Sequence, residues 1–414
     1  MTLWSGRVGG SLDPSVWEFL HADDAELLPY DCEASVQHAQ RLHGAGLLSD
    51  EELAEVEARL AEIAHDPAGY LDEDEDVHSS IERQLGDLGR KIHAGRSRND
   101  QVAAAFRLYV LDACAQAREE IDALALVVLS FAEAEADTLM PGYTHLQRGQ
   151  PVTLGHHLLA WVEMLDRDRT RFAAAAAAAL ESPLGAGALA GSTLGLPGTP
   201  GQMRNSIDAV ADRDFALDYL YAVAVLYTHL SRIGEELVLW SSGEFGFVKL
   251  PENAATGSSM MPQKLNPDVA ELARGKAGTA IGRLTGLLAT VKGLPLAYDR
   301  DLQEDKAPVF AARADTRLGL RALAALISGL QVDRERMAAA ASDPLVLATD
   351  AAEALVRDGI PFREAHERVA ASVRDGSFTP AGTAAESVAA RGAPGPGGVR
   401  EALAEARTRF GETP

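Results

Sequence analysis

Apolar residues recur at helical spacing over unusually long stretches of this chain. From position 99 to about 137 there is no proline, apolar side chains return every three or four residues, and the pattern stops at Pro141. Comparable stretches follow at about 153–180, 207–240, 267–294 and 304–330. Helices this long, against a mean of about 11–12 residues in globular proteins, predict an all-α fold with a central five-helix bundle.

Shorter patterns flank the bundle. Residues 1–98 mix short helical patterns with prolines and an acidic run, and the periodic segments shorten again from about Ser342. We therefore predict three domains, at 1–98, 99–341 and 342–414. The apolar stripes of the long helices are wide, which favours a homo-oligomer whose subunits share a core. One such stripe consists of Leu217, Leu220, Val223, Leu226 and Leu230.

The composition agrees with a folded chain and restricts its partners. Of the 414 residues, 47% are hydrophobic and 24% are charged, enough to bury a sizeable core. The formal net charge is −23, so the surface as a whole repels polyanions. We therefore expect no nucleic-acid partner and no anionic membrane surface as a partner.

The cysteines and the apolar runs bear on cellular location. Cys32 and Cys114 are far apart in sequence and have no second thiol at motif spacing, which predicts neither a disulfide nor a thiolate metal site. No window approaches the roughly 20 apolar residues of a membrane span, and the first residues lack the pattern of a secretory signal. These features predict a cytoplasmic protein.

Two motifs suggest a cofactor or a metal ion only at first sight. The glycine-rich segment 185–191 resembles a dinucleotide fingerprint, but its last spacing is one residue too long and no predicted strand precedes it. His156 and His157 do not face one side of a helix together, and no carboxylate stands at the spacing of a zinc site. We expect no cofactor and no metal ion.

The segment 257–267, Gly-Ser-Ser-Met-Met-Pro-Gln-Lys-Leu-Asn-Pro, is the strongest chemical signal. Two hydroxyls, a lysine and an amide fall close together in a loop just before a long helix. A serine removes a proton only if its alkoxide is stabilised, and Lys264 with the loop amides would supply that positive potential. The alternative is a loop that merely begins the helix, with Asn266 or Asp268 as its cap.

Two further polar clusters precede long helices. The segment 93–101, His-Ala-Gly-Arg-Ser-Arg-Asn-Asp-Gln, places arginines near free backbone amides, which is the arrangement of an anion site. The alternative is a capped helix start with solvated arginines, in which the cap is Ser97, Asn99 or Asp100. The segment 296–306 packs six charges into eleven residues, and a charge run of this kind is usually a solvated face.

The segment 141–147, Pro-Gly-Tyr-Thr-His-Leu-Gln, lies in the tight connection between the first two long helices. His145 stands on a turn beside hydroxyl and amide side chains, so it is able to exchange protons near neutral pH. Its alternative role is that of a hydrogen-bonded structural histidine. Four polar clusters at the ends of long helices are explained better by one shared site than by four separate reasons.

Together these segments resemble the argininosuccinate lyase branch of the fumarase/aspartase superfamily. The loop 257–267 resembles the signature of the superfamily, while 95–101, 141–147 and 302–306 resemble the branch. The resemblance implies a three-domain helical subunit, central bundles that associate into a homotetramer, and active sites built from three subunits. It also implies the reversible cleavage of argininosuccinate to arginine and fumarate, without a metal or cofactor.

The resemblance further implies roles for individual residues. Ser258 would remove the proton from the succinyl carbon, and His145 would protonate the departing nitrogen. Lys264 and Asn266 would stabilise the enediolate-like intermediate. The implied substrate-binding residues are Asn99, Thr144, Tyr298, Gln303 and Lys306, then Asp76 and Arg213, with Arg98 as a further suitable cation.

The sequence also departs from the family pattern. The family usually has two serines shortly after an N-terminal Trp-Gly-Gly-Arg-Phe, whereas here Trp-Ser-Gly-Arg-Val at 4–8 is followed by Phe-Leu-His-Ala-Asp-Asp at 19–24. Leu265 and Asp299 replace a usual lysine and asparagine, which makes the local charge more negative. Two alternatives therefore stay open. One is a related lyase acting on adenylosuccinate, aspartate or fumarate, and the other is a crystallin-like homologue without activity.

Overall fold

Helices dominate the fold of this chain. A computed structural model describes residues 12–70, 74 and 76–411, so the segment 4–8 lies outside the described residues. The helices are α1 (Pro14–Leu20), α2 (Leu28–Gly44), α3 (Asp50–His65), α4 (Val77–Leu85), α5 (Asp87–Ile92), α6 (Arg98–Ala134), α7 (Leu154–Ala179), α8 (Ser206–Ala211), α9 (Asp214–Ser241), α10 (Asp268–Val291), α11 (Lys306–Ser328), α12 (Arg334–Ala341), α13 (Ala348–Arg357), α14 (Phe362–Arg374), α15 (Ala384–Ala390) and α16 (Val399–Arg409).

The five long helices lie where the apolar pattern predicts them, with one interruption. α6, α7, α10 and α11 each begin and end within a few residues of the predicted bounds. The predicted helix 207–240 is wrong at its start, because α8 and α9 share that stretch. The break lies at Asp212, whose backbone leaves the helical region (φ −59°, ψ 131°) and whose side chain accepts a hydrogen bond from the N–H of Asp214 at 2.9 Å.

The predicted apolar face of α6 forms part of the core. Its side chains are buried, at 7% exposure or less, at Val102, Phe106, Val110, Ile121, Leu124 and Val128. Burial of a side chain of this size contributes about 1.5–3 kcal/mol. On α9, the chain itself buries Leu220, Val223, Leu226 and Leu230. That stripe is therefore covered within the chain and is no free surface for a second subunit, which corrects the expectation that it would be shared between subunits.

A different helix presents an uncovered apolar face. On α10 the side chains of Leu272, Ile281 and Leu288 are exposed. The same helix carries four glycines, and a Cβ added at any of them would meet no heavy atom within 4 Å. These glycines are Gly275, Gly278, Gly282 and Gly286. Helices with such small residues allow another helix to approach closely.

Within the described ranges, short strands form three antiparallel pairs. β1 (Leu139–Thr144) pairs with β2 (Gln147–Thr153), so the predicted tight connection is a β-hairpin rather than a simple turn. β3 (Val248–Lys249) pairs with β6 (Gln331–Val332), and β4 (Thr256–Gly257) pairs with β5 (Leu265–Asn266). Two of these pairs carry predicted site residues.

The chain divides into two compact units. The first comprises Met1–Arg118, Thr170–Ala224 and Gly278–Thr316, and the second comprises Glu119–Arg169, Val225–Ala277 and Arg317–Pro414. The three domains expected from the sequence stay a prediction. In the described part of the chain, no helix is long and apolar enough to cross a bilayer.

Candidate active site

The first unit contains a cavity of about 180 Å³ that collects six of the predicted site residues. They come from the residue that caps α4, from the start of α6, and from the segment 298–306 at the start of α11, which are far apart in sequence. The six are Asp76, Arg98, Asn99, Tyr298, Gln303 and Lys306. Two of the four polar clusters predicted to share a site, 93–101 and 296–306, therefore meet here together with Asp76, whereas 141–147 and 257–267 do not line this cavity.

Arg98 and Asp76 form one wall of this cavity. Asp76 caps α4 by accepting a hydrogen bond from the N–H of Ser79 at 2.8 Å. Arg98, at the start of α6, donates to the Asp76 carboxylate and to the Ser79 hydroxyl. Protein groups therefore hold Arg98, and it is not a solvated arginine. Of the alternative interpretation of segment 93–101, a capped helix start with solvated arginines, only the capped helix start applies to this part of the chain.

The glycine-rich segment 185–191 supports the same wall. Asp100 is fully buried and accepts hydrogen bonds from the N–H groups of Ser97 at 2.9 Å and Gly187 at 2.9 Å. Burial raises the pKa of Asp100, although these N–H donors oppose the shift. Asn99 donates from its amide to the Ala188 carbonyl at 3.2 Å. The segment is thus a structural loop fastened to the start of α6.

The N-terminal segment closes another side of the cavity. Gln303 donates from its amide to the carbonyls of His21 at 3.2 Å and Leu20 at 3.4 Å. Arg300 donates to the same Leu20 carbonyl at 2.7 Å. Segment 19–24, which departs from the family pattern, therefore contacts the cavity through its backbone, and Ala22 lines it.

Lys306 and Arg213 are linked rather than adjacent. Lys306 lines the cavity, and its ammonium donates to the Asp305 carboxylate at 2.7 Å. Arg213 is 2% exposed, does not line the cavity, and donates from Nε to the other oxygen of Asp305. The side chain that joins these two predicted residues, Asp305, was not singled out from the sequence.

Two more cavity residues escaped the sequence analysis. Asp24 is 4% exposed, and burial raises its pKa to about 6. Burial alone would lower the pKa of His78, but the Asp31 carboxylate, 2.7 Å from His78 Nδ1, raises it above the ordinary value. His78 follows the predicted site residue Asp76 by two positions, and that closeness is the one sequence signal that could have pointed to it, whereas Asp24 had none beyond its charge.

The second unit holds His145 and Thr144 at the tip of the β1–β2 hairpin. Thr144 pairs with Gln147, so the turn consists of His145 and Leu146 alone. Both have positive φ, 55° and 56°, which is the geometry of a type I′ turn. The imidazole is exposed. An exposed position at the tip of a hairpin is consistent with proton exchange with a ligand. It is less consistent with the alternative role, a hydrogen-bonded structural histidine.

The second unit also holds the loop with Ser258, Lys264 and Asn266. The pairing of β4 with β5 closes this loop, so that Ser258 follows one strand and Lys264 precedes the other. Asn266 donates from its amide to the Gly257 carbonyl at 3.4 Å. Asp268 accepts from the hydroxyl of Thr256. The contacts of these two candidate caps therefore fasten the loop just before α10.

Ser258 lies where backbone amides converge. Its Oγ accepts hydrogen bonds from the N–H groups of Met260 at 3.3 Å and Met261 at 3.0 Å. Amides aimed at an oxygen stabilise negative charge on it, which is the condition for a serine to act as a base. Lys264 is exposed in the same loop and adds a positive charge there.

The lining of the first-unit cavity suits a ligand that bears charges of both signs. Arg98, Arg300 and Lys306 offer cations to carboxylates, while Asp24 and Asp76 offer carboxylates to ammonium or guanidinium groups. No cluster of three or more His, Cys, Asp or Glu side chains among the described residues is placed to hold a metal ion. The polar groups therefore point to an amino-acid-like ligand.

Comparison with known proteins agrees with this chemistry. Residues 24–282 match a family model described as Lyase, and residues 345–385 match one described as Argininosuccinate lyase C-terminal. The argininosuccinate lyase of Frankia casuarinae is 51% identical over 387 residues, which cover 89% of this chain and 83% of that protein. The argininosuccinate lyase of Thioalkalivibrio sulfidiphilus is 48% identical, with 91% and 85% covered.

A solved structure shares the fold. EDDS lyase in complex with formate superposes with a TM-score of 0.79 and 27% identity, covering 97% of this chain and 90% of that chain. Its agreement with the helical architecture confirms the all-α fold predicted from the sequence. With half of all positions identical to a relative over most of both chains, this chain belongs to the argininosuccinate lyase family, a group of lyases within the fumarase/aspartase superfamily.

Proposed function

We propose that this chain catalyses the reversible elimination of fumarate from argininosuccinate, which gives arginine. The observation that carries the proposal is the pair of backbone N–H groups directed at Ser258 Oγ. The reaction needs a base for a weakly acidic C–H group, and those amides stabilise the serine alkoxide. The 51% identical relative named argininosuccinate lyase supports the choice of substrate.

In this reaction Ser258 removes a proton from the succinyl carbon beside a carboxylate. The electron pair moves onto that carboxylate, and the enediolate-like intermediate is stabilised by Lys264 and Asn266. The C–N bond then breaks as the carbon–carbon double bond of fumarate forms, and His145 gives a proton to the departing guanidinium nitrogen. A base and an acid on opposite faces of the substrate suit a trans elimination.

The first-unit cavity supplies the substrate contacts in this proposal. Lys306 and Arg98 bind carboxylates of the substrate, and Asp76 faces its cationic groups. Asn99, Tyr298 and Gln303 donate or accept further hydrogen bonds there. Thr144, from the β1–β2 hairpin, is a further substrate contact in this proposal. Arg213 contributes through its contact with Asp305.

We also propose that the protein is a cytoplasmic homotetramer whose sites combine residues of several copies. The uncovered face of α10, with its exposed Leu272 and open glycines such as Gly282, supports close packing against another copy. Cys32 and Cys114 are both unpaired and buried, which suits a reducing compartment. The domain division at residues 98 and 341 remains part of the same proposal.

A direct assay tests the function. Purified protein should generate the ultraviolet absorbance of fumarate from argininosuccinate, and none from adenylosuccinate or aspartate. Fumarate from adenylosuccinate or aspartate alone would assign a related lyase instead. A folded oligomer that releases fumarate from none of the three would be the inactive, crystallin-like alternative.

A further inference from the structure

The carboxylate of Asp305 joins two cations from distant parts of the chain. Its Oδ1 accepts a hydrogen bond from Lys306 Nζ at 2.7 Å, and its Oδ2 accepts one from Arg213 Nε. All three residues belong to the first unit, where Asp305 is fully buried, Arg213 is 2% exposed and Lys306 is 5% exposed. With little water nearby, the charge of this one carboxylate acts strongly on both cations.

Within the trio, Lys306 alone lines the cavity. Its ammonium also donates to the Leu302 carbonyl at 3.3 Å and lies 5.7 Å from the centre of the Phe106 ring. These contacts, with that of Asp305, restrict the direction of the ammonium. Arg213 also donates a hydrogen bond to the backbone carbonyl of Asp212 at 2.7 Å. This contact holds the guanidinium against Asp305, outside the lining of the cavity.

The charges of the trio decide the sign of the charge that this part of the lining presents to a ligand. Two cations and one carboxylate leave one net positive charge. Because Arg213 takes one oxygen of Asp305, the carboxylate does not neutralise Lys306 completely. The remaining positive charge therefore lies on the group that faces the cavity, where it attracts a carboxylate of the ligand.

We propose that Asp305 is a positioning residue that holds the Lys306 ammonium toward the cavity as a cation, and that Arg213 supports it from behind. The proposal rests on the proposed function, because the ligand of Lys306 is then a carboxylate of argininosuccinate. Arg213 acts on the substrate only through Asp305, and Lys306 makes the contact. The trio thus adds one residue, Asp305, to the machinery implied by the family resemblance.

Two substitutions distinguish this role from a merely structural one. Asp305→Asn removes the counter-charge, so two cations face each other and Lys306 should lose its proton more easily. Arg213→Met leaves Asp305 to Lys306 alone, so Lys306 should lose its proton less easily. The other charged groups around the cavity are unchanged in both variants, namely Asp24, Asp76, His78, Arg98 and Arg300.

Competitive acetylation of Lys306 across a pH series, read by mass spectrometry of its peptide, measures this effect without any need for turnover. Relative to the wild type, the midpoint of labelling should move to lower pH by about one unit or more in Asp305→Asn and to higher pH in Arg213→Met. Asp112→Asn is the matched control, since Asp112 pairs with Arg313 in the same unit and does not line the cavity. It should leave the midpoint unchanged.

Steady-state kinetics supply the second readout. KM for argininosuccinate should rise about tenfold or more in Asp305→Asn, with kcat within about threefold of the wild type, because a binding contact is lost. An unchanged KM in folded Asp305→Asn, or labelling midpoints that stay constant or move in the same direction, would overturn the proposal. If Asp305→Asn does not fold, the proposal is judged by Arg213→Met alone: a Lys306 labelling midpoint at higher pH supports it, and an unchanged or lower midpoint overturns it. Absence of fumarate release by the wild type would instead refute the proposed function, and the labelling result would still stand.

Discussion

The Oγ of Ser258 accepts a hydrogen bond from the backbone N–H of Met261 at 3.0 Å. Met260 donates to the same oxygen. The oxygen therefore lies at the focus of two amide dipoles, in a loop closed by the short strands β4 and β5. An alkoxide at this point would meet donors already in place, and no rearrangement of the loop backbone would be needed to stabilise it.

Replacing Ser258 with Ala should lower kcat by about 10²–10⁴-fold, because the proposed base is removed. The fumarate assay measures this loss, and circular dichroism checks that the helices persist. Ser259→Ala is the control, since it removes a hydroxyl from the next residue of the same loop, while the two amide hydrogen bonds go to Ser258. Activity of Ser258→Ala close to that of the wild type would remove Ser258 as the base.

Replacing Leu146 with Gly should stabilise the protein by about 1 kcal/mol. Leu146 has a φ of 56°, a region that costs an L-residue roughly 1–2 kcal/mol and costs glycine almost nothing. Its side chain is largely exposed, so little packing is lost. Equilibrium urea unfolding at fixed protein concentration measures the change. Ala404→Gly, in the exposed face of α16, should instead destabilise by about 1 kcal/mol. If Leu146→Gly lost stability as Ala404→Gly does, the positive φ of Leu146 would not be a source of strain.

Replacing Asp24 with Asn should stabilise the protein at neutral pH and not in acid. The folded pKa of about 6 exceeds the ordinary value of 3.8, so the folded state holds the proton more tightly. The cost of ionising Asp24 therefore appears as the pH rises from about 4, and is complete above about 6, at roughly 3 kcal/mol. Thermal unfolding from pH 4 to 8 tests this.

In the same series, the exposed neighbour Asp23 provides the control. Asp23→Asn should change the unfolding temperature little at any pH. A gain for Asp24→Asn that is equally large at pH 4 would mean that something other than its ionisation is responsible.

The acidic surface should slow capture of an anionic substrate at low salt. The net charge of −23 repels argininosuccinate, whose carboxylates outnumber its cationic groups. With a Debye length of about 10 Å at 0.1 M salt, that repulsion is screened. Initial rates at subsaturating substrate should therefore rise about 1.5–3-fold between very low salt and about 0.1 M, while kcat stays constant. A flat or falling rate would rule out unfavourable steering.

Replacing Gly282 with Leu should disrupt the proposed oligomer. A Cβ at Gly282 meets no atom of its own chain within 4 Å, so the side chain is tolerated by the fold of the single chain. It would separate two helices that pack across this face of α10. Sedimentation velocity should show a smaller species with reduced activity. Ala371→Leu, on the exposed face of α14, should leave the size unchanged, and an unchanged size in both variants would place the interface elsewhere.

Much of the architecture follows from local patterns. The bounds of α6, α7, α10 and α11 are readable because helical periodicity depends only on residues a few positions apart. The break between α8 and α9 was missed, because the capping side chain of Asp212 lies inside an otherwise continuous apolar pattern. The loop with Ser258 could be singled out as a candidate because its residue types and their spacing are local features of the sequence.

The sequence by itself determined the helical class, the family resemblance and the segments that carry reactive groups. Only the tertiary structure decided that Arg213 and Lys306 share the carboxylate of Asp305, that Asp24 is buried, and that His145 stands on a left-handed turn. The physical reason is that burial and ion pairing depend on which distant segments pack together. Arg213 and Asp305 are 92 positions apart, and no local pattern records that contact.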